Sequence, residues 1–105
     1  MESERIFAHI VIASFKPGMR RLANRRAEEI FKQWADGYRG YIIQSSVKDQ
    51  DTSIYITFWN SEESMEQSVK GVDENILKSL GAESLCSIKV ESAEVQDFWL
   101  SLEPE

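Results

Sequence analysis

The first predicted strand of this chain is apolar on both of its sides, and this feature limits the folds open to it. Residues 6–15 are dominated by β-forming residues and end at Lys16-Pro17-Gly18, which breaks a strand. Because side chains alternate along a strand, the two sides carry two apolar sets, which are Ile6, Ala8, Ile10 and Ile12 on one and Phe7, Val11, Ala13 and Phe15 on the other. Such a strand is typically covered on both faces.

The rest of the chain predicts two helices and three further strands. Apolar residues recur at helical spacing from Met19 to Ala35 and from Glu62 to Leu80. Strands are predicted at Tyr41–Val47, Ser53–Trp59 and Leu85–Val95. The order is βαββαβ, and its simplest closed form is a four-stranded antiparallel sheet with both helices on one face, a ferredoxin-like α+β fold.

Two helices on one side of the sheet leave the other side uncovered, although it is apolar. The third strand adds Ile54, Ile56 and Phe58 to that side. The sequence therefore predicts a homodimer in which two sheets pack face to face. We interpret the 105 residues as one domain with a core at about 6–95, followed by a segment, 96–105, whose apolar residues are predicted to pack on the partner subunit.

Composition argues against several classes of partner. The net charge of −6 and the pI of about 4.8 do not suit nucleic acid or an anionic membrane. The start of the chain resembles neither a signal peptide nor a membrane span, so a cytoplasmic location is expected. One histidine and one cysteine argue against a metal site, and Cys86 is expected to fill space in the core.

Three short motifs carry a family resemblance. Lys16-Pro17-Gly18 separates the first strand from a long helix, and the segment 36–41 (Asp-Gly-Tyr-Arg-Gly-Tyr) follows that helix. The segment 59–64 (Trp-Asn-Ser-Glu-Glu-Ser) joins the third strand to the second helix. In these motifs and their order, residues 6–95 resemble the antibiotic biosynthesis monooxygenase family of dimeric α/β barrels, whose turn has Pro-Gly-Phe-x-Gly and whose helix begins Trp-x-Ser-x-Glu-Ala. Asp36 replaces the proline of the family turn.

The resemblance implies a homodimer with a pocket between sheet and helices in each subunit. Members of the family include cofactor-free oxygenases acting on phenols, quinol oxygenases, haem-degrading enzymes and proteins without known activity. The family register places His9 on the pocket side with Val11, and with Trp59 and Tyr55 from the third strand. His9 could accept a phenolic proton, and the resulting anion could reduce O2 without a cofactor. Trp34 is a further candidate ligand contact on the first helix. The alternative for each is a role in core packing.

Haem degradation is the less favoured activity. Trp59 matches the tryptophan of haem-degrading members, but their asparagine would fall near Val11 and their iron-binding histidine near Val69. Residues 62–80 contain no histidine, so the main haem anchor is missing. The leading hypothesis is a monooxygenase without a cofactor, acting on a small aromatic phenol or quinol. The alternative is a non-catalytic homodimer that binds a small hydrophobic molecule.

Two other modules share the strand order of this chain. An RNA-recognition module would carry a glycine and a basic residue in its third strand, which residues 53–59 lack. A regulatory amino-acid-binding domain would usually be fused to an enzyme.

Residues 16–39 hold seven of the twelve basic residues and three of the eighteen acidic ones. This basic group predicts a solvated helix face with pairs such as Arg25–Glu29, or else an anion site.

Overall fold

The computed structural model describes residues 5–33, 36–69 and 85–99. It confirms the predicted order of elements and the ferredoxin-like fold. The strands are β1 (Phe7–Phe15), β2 (Tyr38–Ser45), β3 (Thr52–Trp59) and β4 (Leu85–Glu94), and the helices are α1 (Arg20–Phe31) and α2, which is helical over residues 62–69. Within these ranges, no helix is long and apolar enough to cross a membrane.

All neighbouring strands of the sheet are antiparallel, and their order is β2-β3-β1-β4. The long connections through α1 and α2 place β1 in the middle of the sheet. Both helices lie on the same face, because α1 packs over Val11 and Ala13 while Met65 of α2 packs against Phe7 and Trp59. The buried core lies between this face and the helices.

The opposite face of the sheet carries the apolar set of β1 that contains Ile10 and Ile12, as the alternation predicts. Ile10 lies opposite Ile56, which in turn lies opposite Ile42, so the three side chains form a row across β1, β3 and β2. No helix of the described residues covers this face. At its β2 edge, Phe58 and Phe98 line a cavity of about 330 Å³.

The helix α1 is shorter than predicted. It ends at Phe31 rather than Ala35, and Lys32 forms its C-cap. Ala23, Ala27 and Phe31 are buried, whereas Leu22 is 37% exposed. Successive buried positions are four residues apart, and small alanines allow the helix to lie close to the sheet. Leu22 is rotated away from this line by about 100°.

The strand β2 begins and ends earlier than predicted. Tyr38 pairs with Trp59, and the register then shifts between Tyr38 and Gly40, where Gly40 has a φ of +143°. This irregularity lets the strand include residues before Tyr41. At the other end, the hydroxyl oxygen of Ser46 accepts hydrogen bonds from the backbone N–H groups of the next turn, so Val47 is in a loop.

The prediction that Cys86 fills the core is wrong. Cys86 is exposed. It lies on the edge strand β4, at the point where the register with β1 shifts between Ser14 and Phe15. The cysteine therefore has no residue directly opposite it, and no helix of the described ranges packs over it.

The helix α2 begins directly after its cap residue, Ser61. Ser61 fills this role, since its hydroxyl oxygen accepts a hydrogen bond from the backbone N–H of Ser64 at 3.1 Å. Asn60 instead donates its backbone N–H to the carbonyl oxygen of Gly37 at 2.8 Å. In the C-terminal segment, Phe98 and Trp99 are exposed, and residues 100–105 lie outside the described part of the chain. Packing of this segment on a partner stays a prediction.

Candidate functional site

The structure places four of the five candidate residues together on the helix-facing side of the sheet. His9 of β1 lies opposite Thr57 of β3, with the pair Val11–Tyr55 on one side of it and the pair Phe7–Trp59 on the other. Because residues directly opposite in an antiparallel pair share a face, their side chains form one cluster. His9 is 6% exposed. The fifth candidate, Trp34, lies outside the described residues.

Trp59 is enclosed by its neighbours. Its exposed fraction is 0%, and it packs with Phe7, Met65 and Tyr38, whose ring centroid is 5.2 Å away. Its indole N–H donates a hydrogen bond to the hydroxyl oxygen of Thr57 at 3.0 Å. A ligand could contact the indole ring only if these neighbours moved. The environment of Trp59 therefore favours a role in packing and in orienting Thr57 beside His9.

Tyr55 braces α1 against the sheet. Its hydroxyl donates to Asn24 Oδ1 at 2.8 Å, and the hydroxyl of Ser53 donates to the same oxygen at 2.7 Å. Burial raises the pKa of Tyr55 to about 12, so this phenol is neutral at physiological pH. Asn24 is not among the residues predicted from the sequence, and the only signal for it is a polar residue on the same helix as the buried Ala23 and Ala27.

We expect this buried phenol to make the protein less stable in alkaline solution. The folded-state pKa of Tyr55 lies above the ordinary tyrosine value of about 10. The associated stability is therefore complete below pH 10 and is lost as the pH rises towards 12. Between pH 9 and pH 11.5, the free energy of unfolding measured by urea denaturation should fall less in Tyr55→Phe than in the wild type. An equal fall in both proteins would show that Tyr55 does not cause the loss of stability at high pH. Burial also raises the pKa of Tyr38, so part of the pH dependence should remain.

Within the ranges that the structure describes, an apolar surface beside His9 is open on the β4 side. In the register of β1 and β4, Val11 lies opposite Val90, Ala13 opposite Ile88, and His9 opposite Ser92. Val90 is 48% exposed and Ile88 is 43% exposed, although both share the helix-facing side with the core. A small hydrophobic molecule placed on this surface would lie next to the imidazole. The alternation in β4 predicts that Ile88 and Val90 share a face, but it does not predict that they are open.

The residues at the two positions relevant to haem do not fit that cofactor. Val11 is buried in the core, and Val69 packs against the cluster of Phe7, Trp59 and Met65. Neither side chain can ligate iron or donate a hydrogen bond. Over the ranges that the structure describes, no group of three or more His, Cys, Asp or Glu side chains could hold a metal ion.

Comparison with known proteins gives structural matches only, since no family model and no curated protein matches the chain. A Nitrosomonas europaea structure assigned as an antibiotic biosynthesis monooxygenase has a TM-score of 0.74 and 12% identity, over 91% of this chain and 95% of that one. A Chloroflexus aurantiacus structure with the same assignment has a TM-score of 0.68 and 18% identity, over 91% and 96%.

A third match is a Nitrosomonas europaea protein of unknown function. Its TM-score is 0.74 and its identity is 15%, over 97% of this chain and 100% of that one. At such identities the likeness establishes the fold and not the reaction. The chain thus has the fold of structures assigned as antibiotic biosynthesis monooxygenases.

Proposed function

We propose that this protein is a homodimeric monooxygenase of the antibiotic biosynthesis monooxygenase type, which uses no cofactor and oxidises a small phenol or quinol. The shared fold and the names of the matching structures support the class of activity. The observation that carries the proposal is the position of His9. It is a buried imidazole on the helix-facing side of β1, and it borders the open apolar surface of Val90 and Ile88.

The proposed reaction needs only substrate, O2 and one base. His9 accepts the phenolic proton, and the electron-rich phenolate passes one electron to O2. Recombination of superoxide with the phenoxyl radical forms a carbon–oxygen bond at the ring carbon opposite the hydroxyl, and protonated His9 returns its proton to the distal oxygen to give a hydroperoxide. The O–O bond of this hydroperoxide then breaks as the C–H proton leaves, and one oxygen atom departs as water. A phenol with a free para position and O2 thus give a quinone and water, with the phenol supplying all four electrons.

The environments of the other candidates define what the protein contributes to this reaction. Tyr55 is neutral, and its hydroxyl donates to Asn24, while the indole N–H of Trp59 donates to Thr57. Both residues therefore shape the site and leave proton transfer to His9. Val90 and Ile88 supply an apolar wall against which a flat ring can lie. Such a wall excludes water from the phenolate.

Oxygen uptake with a panel of phenols and quinols tests the proposal. We expect wild-type protein to consume one O2 per phenol, with the quinone detected by its absorbance. His9→Ala should lower kcat by about a hundredfold because the base is lost. His9→Gln is the matched variant, since glutamine keeps hydrogen-bonding capacity but cannot take up the proton. Turnover retained in both variants would remove His9 from the mechanism.

The same experiment separates the second candidate, a non-catalytic dimer that binds a hydrophobic molecule. The enclosure of Trp59 and the hydrogen bond of Tyr55 favour it, because both side chains then have roles in packing. Saturable binding of a phenol without oxygen uptake would support this candidate. It would also contradict the oxygenase proposal for that compound.

A further inference from the structure

A second concave surface lies on the other side of α1, away from the candidate site. It is a cleft of about 410 Å³ between α1 and the edge strand β2. Four residues of α1, at positions 21, 24, 25 and 28, line one wall, and Tyr41 and Ile43 line the other. These helix positions follow the i, i+3, i+4, i+7 pattern of a single helix face. Two basic residues of the segment 16–39, Arg21 and Arg25, therefore border a cleft and do not lie only on a convex helix surface.

We propose that this cleft binds a small organic anion, namely a carboxylate attached to a flat aromatic group. The guanidinium groups of Arg21 and Arg25 supply the positive charge, and Tyr41 with Ile43 supplies an apolar floor. Among the described residues, neither guanidinium forms a hydrogen bond. Arginine is well suited to such a site because its planar fork binds both oxygens of a carboxylate.

The ion pairs of α1 leave these two arginines available. The predicted pair Arg25–Glu29 is wrong, since Glu29 lies 3.4 Å from Arg26 instead. The carboxylate of Glu28, which also lines the cleft, lies 2.5 Å from Lys32 Nζ. This hydrogen bond holds the pKa of Glu28 below its usual range. Lys32, with a smaller contribution from the charge of Arg25, thus compensates the one acidic group of the cleft, and the net charge of the cleft remains positive.

Asn24 adds a donor whose orientation is fixed. Its Oδ1 accepts hydrogen bonds from the hydroxyls of Ser53 and Tyr55, and both of these residues are buried. The remaining polar atom of the side chain is Nδ2, which can only donate. An amide held in this way between Arg21 and Arg25 adds a neutral donor to the two guanidinium groups, and an anion accepts from all three.

The ring of the ligand would lie on Tyr41. The Tyr41 ring is held from beneath by Phe31, with a centroid distance of 5.7 Å. Tyr41 and Ile43 are half-buried, lie on the helix-facing side of β2 and are separated by a single residue. A flat aromatic group can therefore stack on this floor while its carboxylate reaches the arginines.

Titration calorimetry with 2-naphthoate at low salt tests this site, with 2-naphthamide as the neutral analogue. We expect naphthoate to bind at least about tenfold more tightly than naphthamide, and Arg25→Gln to weaken it by about tenfold. Arg26→Gln is the control of equal charge on the same helix, and it should change the affinity less than twofold. Absence of saturable binding, or equal affinity for both compounds, would overturn the proposal.

Asn24→Asp gives the sharpest variant, because a carboxylate can still accept from Ser53 and Tyr55 but repels an anion. We expect it to remain folded by circular dichroism and to lose naphthoate binding by about tenfold or more. In methyl NMR spectra of the wild type, the Ile43 signal should shift on addition of naphthoate while the Val90 signals do not. Shifts at Val90 instead would place the compound near His9 and contradict the assignment to this cleft.

Discussion

Replacing Gly37 with alanine is expected to destabilise the protein by about 3 kcal/mol. An added Cβ would lie 2.7 Å from Asn60 Oδ1 and 2.8 Å from Ser64 Oγ, which is closer than van der Waals contact allows. The residue also has a φ of +89°, a conformation that costs an alanine about 1 kcal/mol or more. Gly37 therefore allows the loop after α1 to dock on the start of α2, where its carbonyl oxygen accepts the Asn60 N–H.

Gly18 provides a matched control for this substitution. Its φ of +87° is almost the same, but no atom lies within 4 Å of an added Cβ. Gly18→Ala should therefore cost only the backbone strain of about 1 kcal/mol. Urea unfolding at neutral pH gives both free energies. Equal losses for the two variants would show that the contact between the loop and α2 does not contribute to stability.

The features that were predictable from the sequence are those that depend on local periodicity. Alternation in residues 6–15 assigns Phe7, Val11 and Phe15 to one side of the sheet, and this assignment does not depend on any neighbour. The two faces of β3 follow in the same way. The helix α1 is detectable from its spacing, but its end is not. Whether the helix continues past Phe31 depends on tertiary contacts of the loop that contains Gly37.

The site was predictable only in part, for a related reason. The family register places His9 and Val11 beside Tyr55 and Trp59, and the antiparallel pairing of β1 and β3 has this arrangement. The hydrogen bond between Tyr55 and Asn24 depends on how α1 is rotated about its own axis over the sheet. The spacing of apolar residues along the chain does not encode that rotation. The exposure of Val90 depends on how far the helices extend over the edge strand. Neither feature of the candidate site can therefore be derived from the spacing of residues along the chain.

A charge in the centre of the uncovered sheet face is expected to dissociate the proposed homodimer. Ile56 is the best position, because Ile10 and Ile42 flank it on the neighbouring strands and it is half-buried. In a face-to-face dimer, two-fold symmetry introduces the Ile56→Lys charge twice, and each unpaired charge would be removed from water at a cost of several kcal/mol. We expect the dissociation constant of the dimer to rise by at least about a thousandfold.

In the isolated subunit the same lysine should be tolerated, since its aliphatic stem can lie along the neighbouring isoleucines while the ammonium group reaches water. The variant should therefore be a folded monomer. Ile88→Lys is the matched control, because Ile88 is 43% exposed and lies on the helix-facing side of the edge strand, so it should leave the dimer intact. Light scattering coupled to size exclusion measures both masses.

Two results would contradict a dimer formed through this face. The first is a wild-type protein that elutes with the mass of a single chain at micromolar concentration. The second is an Ile56→Lys variant that keeps twice that mass, which would place the interface elsewhere. Isoleucines of β1, β2 and β3 form a continuous apolar surface that no described helix covers. An apolar surface of this kind is rare on a monomer, and this supports the proposal that a second subunit covers it.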